Sequence, residues 1–151
     1  MQKGQEKSGM GRWKYITILG WTNNKRITIL AVHRLCKGLT ANVGNFTVPK
    51  NQLLVIQSTN RNEYSHRVVI GDLITEVNKF RQDGNDILMT MDGDDNFRLA
   101  KKGTAKLCWM CKLSDPFYHR HGASNNERSY IRGSHMIDFI LCTFDILDQV
   151  L

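Results

Sequence analysis

Residues 87–96 read ILMTMDGDDN, from Ile87 to Asn96. Five apolar or strand-favouring residues run straight into three aspartates, a glycine and an asparagine. The pattern predicts a buried strand over Ile87–Met91 that delivers carboxylates to its C-terminal end, where they can meet a metal ion or a phosphate. Five aspartates and no lysine or arginine fall between Asp83 and Asp95, in a chain of net charge +7. An acidic focus inside a basic protein asks for a reason.

The totals set the bounds. A chain of 151 residues is long enough for one domain with a real core. Its 41% hydrophobic and 23% charged content is ordinary for a globular fold. No apolar run approaches the roughly 20 residues of a membrane span, so no membrane partner is expected. The polar start, MQKGQEKSGMGRWK, lacks the apolar centre of a secretory signal. The expectation is an intracellular protein, nuclear or cytoplasmic and not secreted. Four cysteines, Cys36, Cys108, Cys111 and Cys142, are too scattered for a disulfide framework and are read as reduced. A pI near 9.4 suits an anionic partner, nucleic acid first.

Along the chain, residues 1–11 show no periodic apolar pattern and are expected to be a disordered or truncated start. The runs Tyr15–Gly20 and Arg26–His33, rich in Ile, Thr and Val and split by a turn-prone Asn23-Asn24 pair, predict a β-hairpin. Residues 37–48 read as loop. Pro49 can open a short helix carrying Leu53, Leu54 and Ile56. From Arg67 to Gln82 the apolar period becomes helical, through Val69, Leu73, Val77 and Phe80, and Gly84 ends it. A second helix is expected over Thr104–Lys112, a short strand over Leu113–Phe117, a surface loop over 118–129 and a last strand over Met136–Thr143. A hairpin followed by alternating helix and strand predicts an α/β fold with a mixed sheet, a layered sandwich.

With these segments in order, the chain resembles part of an endonuclease/exonuclease/phosphatase domain. It is most similar to the endonuclease domain of non-LTR retrotransposon polyproteins, over about Gly11 to Thr143. GRWKYITILG with KRITILAVHRLC resembles the family's central hairpin, and VIGDLITEVNKFRQDGNDILMTMD the helix and strand leading to its aspartate–asparagine motif. CKLSDPF and SYIRGSHMIDFIL resemble two later stretches. The resemblance implies a four-layer α/β sandwich, present here in part as residues 12–151, and Mg²⁺- or Mn²⁺-dependent hydrolysis of phosphodiesters in DNA.

It also implies site residues, in two registers. Gly93-Asp94-Asp95-Asn96 fits the family motif literally, with Asp94 as base and Asn96 supporting the transition state. By strand length Asp92 takes the base's place, and Asp94 stands where the asparagine belongs. The plain alternative is a polar turn after a strand. Asp138, in MIDFIL, matches the aspartate that orients a catalytic histidine, and burying it alone is unfavourable. His33 sits where relatives carry a tyrosine near the scissile phosphate. Arg34 and Arg132 are candidates for phosphate contact. His135 precedes the Asp138 strand and so does not match the family's terminal histidine, and Glu6, with no strand expected around it, does not match the metal-binding glutamate. The alternative to the enzyme, for a domain lacking both ends of the site, is a catalytically dead, truncated fragment that binds nucleic acid. The set Lys3, Lys7, Arg12 and Lys14 reads as a solvated tail. CWMC, Cys108–Cys111, is a lone Cys-x-x-Cys late in a helix, which suits packing better than zinc or a redox dithiol.

Overall fold

The computed structural model describes residues 1–8, 10–20, 25–33, 54–60, 65–92, 97–121 and 139–150. In chain order the strands are β1 (Gln2–Gln5), β2 (Trp13–Leu19), β3 (Arg26–His33), β4 (Asn85–Asp92) and β5 (Phe139–Cys142). The helices are α1 (54–58), α2 (Ser65–Gln82), α3 (Phe97–Cys111), α4 (Pro116–His121) and α5 (Phe144–Val150). The strands form one five-stranded sheet in the order β1-β2-β3-β4-β5. Successive neighbours pair antiparallel except β3 and β4, which run parallel. The protein is therefore a mixed α/β fold, as its segment order predicts.

Parallel neighbours need a crossover, and α2 lies in the connection between β3 and β4. Its buried stripe, Val69, Ile70, Leu73, Ile74, Val77 and Phe80, follows the helical period. Most of that stripe packs with Leu30, Val32, Ile87, Met89, Met91 and Leu141 of the sheet and with Leu107 and Cys111 of α3. The helix stops where the sequence predicts. Gly84 takes a positive φ of 79°, and its N–H bonds to the Arg81 carbonyl. The Arg81 guanidinium then donates to the Cys111 carbonyl at 2.7 Å and the Lys112 carbonyl at 3.2 Å. One helix so closes the C-terminal end of the next.

Alternation gives the sheet two faces. On the helix-covered face, Tyr15 meets the Phe80 ring edge-on with centroids 4.7 Å apart. At the lower end of that face the Thr17 and Thr28 hydroxyls bond at 2.9 Å, and the Asn85 amide donates to Thr28 at 3.0 Å. The opposite face carries the rows Ile16–Ile29–Leu88–Cys142 and Ile18–Ile27–Asp86. Ile16, Ile18, Ile27, Ile29 and Leu88 are only half-buried there.

Four expectations need correction. The start of the chain is not without structure: Gln2–Gln5 forms β1 and pairs with β2. Backbone bonds, not apolar side chains, hold this edge strand, so hydrophobic period cannot reveal it. Gly4 leaves room for the Tyr15 ring, because a Cβ there would stand 2.5 Å from it and the ring would have to move. Arg12 is no solvated tail residue; it is 2% exposed. Residues 113–117 make no strand beyond a single bridge of Ser114 to Cys142. A helix occupies Pro116–His121 instead, overlapping the predicted loop, with proline in its first turn. Finally, α3 begins seven residues before the predicted Thr104. Lys101, Lys102 and Gly103 separate its apolar start from the run beginning at Thr104, which hides the period. The last strand is described from Phe139 only.

Met89 lies at the sheet centre, fully buried between α2 and the flanking strands. Met89→Ala is expected to lower unfolding stability by about 2–5 kcal/mol, read from urea denaturation midpoints at constant slope.

Candidate functional site

The parallel register decides which predicted residues can meet. β3 and β4 pair without a break from Arg26↔Asn85 to His33↔Asp92. Their last pair is thus His33 with Asp92, on strands about 5 Å apart. Two residues selected separately, one for phosphate contact and one as base, stand side by side at the C-terminal end of the central parallel pair. His33 is exposed, and its N–H donates to the Arg12 carbonyl at 2.8 Å. Asp94, Asn96, Asp138, Arg34 and Arg132 lie outside the described residues.

The same end of the sheet holds a charged cluster that sequence reading missed. The Glu6 N–H bonds to the Trp13 carbonyl, which continues the β1–β2 ladder toward His33. The Glu6 carboxylate accepts from the Arg12 N–H at 2.9 Å and the Arg12 Nε at 2.7 Å. It also accepts from Arg12 Nη2 and the Ser8 hydroxyl. Arg12 Nη2 donates further to Asp72 of α2 at 2.8 Å. The guanidinium lies 4.8 Å from the Trp13 ring centroid, a cation–π contact. Among the described residues, no hydrogen-bond acceptor meets the buried donors Arg12 Nη1 and Trp13 Nε1. The signal in the sequence was the pair Glu6 and Arg12 six residues apart, one charge of each sign flanking a glycine-rich turn.

Burial pushes the Glu6 carboxyl up, but the hydrogen bonds from Arg12 and Ser8 and the Arg12 charge outweigh it, and the net shift is below the ordinary carboxylate value. Oε1 accepts three of these bonds and Oε2 one, so most of the Glu6 lone-pair directions are already engaged. Among the described residues no group of three or more His, Cys, Asp or Glu side chains could hold a metal ion. A cation site at this end would need Asp92 together with side chains from the adjoining acidic run.

The thiols are chemically quiet. Burial pushes Cys108 up to about 11, with the Asp115 charge adding to it. Cys111 is likewise pushed to about 11 by burial. Burial also raises Cys142. All three are free thiols. Cys111 and Leu107 enter the core while Cys108 packs at its margin, which agrees with a packing role for CWMC.

Comparison with protein-family models and with curated proteins finds no match.

Two measurements test this geometry. A carboxyl depressed on folding stabilises above its unfolded pKa, and that contribution is lost as pH falls through the folded value. Thermal stability of the native protein is therefore expected to fall as pH drops below about 4.5, the ordinary value for Glu6. Glu6→Gln should flatten that slope and cost about 3 kcal/mol at neutral pH, because Arg12 keeps only Asp72. In a Cys36→Ser background, labelling of Cys108 and Cys111 by an aromatic disulfide reagent at pH 8 should be slow in the native state and fast after denaturation.

Proposed function

We propose that this chain is part of a metal-dependent phosphodiesterase of the endonuclease/exonuclease/phosphatase type, acting on DNA. The observation that supports the reading most is the terminal pair His33↔Asp92 on parallel β3 and β4. It brings a base candidate and a phosphate-contact candidate together at the strand ends, where open α/β sheets commonly bind ligands. The adjoining residues, Asp94 and Asn96, would complete the base and transition-state roles. Asp138, immediately before β5, would enter the same end, since β5 runs antiparallel to β4. Arg34 follows His33 directly and, with Arg132, would supply cationic contacts to the DNA backbone.

In this reading Asp92 or Asp94 orients and deprotonates the attacking water, and His33 donates a hydrogen bond to a phosphate oxygen. A bound Mg²⁺ or Mn²⁺ supplies charge neutralisation on the phosphate. The finer architecture, a four-layer sandwich of which this sheet is one inner layer, is supported by the half-buried apolar rows of the second face. Such rows are what a stacked sheet would cover.

A second reading keeps DNA binding and drops catalysis. It is favoured by the engagement of Glu6 with Arg12, which removes a nearby carboxylate from any cation site.

Nicking of supercoiled plasmid separates the two. The first reading expects nicking with Mg²⁺, none with EDTA, and a loss of about 10²–10⁴-fold in Asp92→Asn or Asp94→Asn. DNA binding that weakens with salt, without any nicking, selects the second reading.

A further inference from the structure

The α3 sequence FRLAKKGTAKLCWMC contains Arg98, Lys101, Lys102 and Lys106 and no acidic residue. Thr104, Leu107 and Cys111 turn to the buried side. Lys102, Ala105, Lys106 and Trp109 are exposed, and their spacings of three, four and seven put them on one stripe. Trp109 is 80% exposed, and Met110 beside it 42%. Lys112, just past the helix end, is exposed as well. The ion pairs among the described residues join Arg12 to Glu6 and Asp72, and Lys25 to Asp86 and Asp145. None involves Lys102, Lys106 or Lys112.

An indole in water beside unneutralised lysines fits a partner that is anionic and offers a flat π face. A membrane-lying helix needs a continuous apolar stripe on its outer side. Here the stripe holds one aromatic and an alanine between lysines, with Met110 exposed beside it, while Leu107 and Cys111 face inward. A protein partner would be anchored by a cluster of large side chains rather than one. Duplex DNA meets the charge requirement, but its bases are stacked on each other and closed to an indole. A single strand meets both requirements, because its bases stack on aromatic side chains while cations follow the backbone.

We propose that the outer stripe of α3, Lys102, Lys106 and Trp109, binds single-stranded nucleic acid, with the Trp109 indole stacked on a base and the two lysines on neighbouring phosphates. Lys102 and Trp109 are about 10 Å apart along the helix axis, within the reach of a few nucleotides. Trp109 lies about 18 Å along the helix from Phe97, and binding there does not depend on any cleavage at the His33–Asp92 end of the sheet.

The test uses the whole chain in EDTA, which keeps it independent of nicking, with a Trp21→Phe background so that the exposed indole dominates the quenchable emission. Titration with a short oligo(dT) should quench fluorescence. Trp109→Ala, scored by anisotropy of a labelled oligo(dT), should weaken binding about 5- to 100-fold. Lys102→Gln with Lys106→Gln should reduce the slope of log K against log salt by about 1.4. Binding of oligo(dT) that is unchanged by Trp109→Ala overturns the proposal. So does equal competition by a duplex of the same length, or a preference for vesicles of phosphatidylglycerol that Trp109→Ala abolishes.

Discussion

Two strands that run the same way cannot be joined by a tight turn, so the pairing of β3 with β4 obliges the chain to leave the sheet and come back. That excursion contains α2. It buries one stripe of the helix on one face of the sheet, and most of the core follows from it: Leu30 and Val32 from β3, Ile87, Met89 and Met91 from β4, with Leu73 and Val77 above them. The same pairing fixes the register from Arg26↔Asn85 to His33↔Asp92. A slip by one residue would turn Met89 and Leu30 to the other face. The hydrophobic core and the neighbourhood of His33 therefore have one cause.

The upper end of the sheet is bound by a different kind of interaction. Arg12 and Glu6 are charges with almost no exposure, a costly arrangement unless every polar direction is used. Glu6 meets that requirement through the Arg12 side chain, the Arg12 backbone and Ser8. Arg12 also reaches Asp72. The cluster ties the short edge strand β1 and the start of β2 to α2, which otherwise share no backbone bonds. It also closes this end of the sheet around the β3 terminus, where the His33 N–H donates to the Arg12 carbonyl.

How far the sequence told this in advance varied with the physics behind each element. β3 was legible from its composition, because Ile27, Thr28, Ile29 and Val32 are β-branched within a run bounded by Arg26 and His33. Helix α2 was legible from its period and its terminal glycine. β1 was not, because MQKGQ has nothing to bury and is held by the ladder to β2. The Glu6–Arg12 pair was missed for a related reason: charges are expected outside unless paired, and pairing is a three-dimensional fact. For the candidate site, composition and resemblance singled out His33 and Asp92 separately. Their adjacency depended on register, which no local pattern carries. The start of α3 escaped because Lys101, Lys102 and Gly103 break the apolar period between Ala100 and Leu107, although its lack of acidic residues was plain in the sequence.

The acidic run and the cationic helix that follows it make an electrostatic pair with opposite preferences. A polyanion approaching Asp92 and the four residues after it meets like charge, and proposed cleavage there requires a cation to neutralise it. Lys106 lies about 13 Å along the helix from Phe97, beyond the roughly 8–10 Å over which exposed charges act at ordinary ionic strength, while Lys102, at about 7.5 Å, lies inside it. On the proposed reading the acidic end repels nucleic acid unless metal is present, and the attraction grows along α3 toward Trp109. On the proposed reading a strand can be held by α3 without being cut, and what reaches the β4 terminus is decided by the cation, not by the holding surface. The net charge of +7 and the aspartate-rich stretch are then no contradiction. On that proposed reading each belongs to a different step of handling the same polyanion.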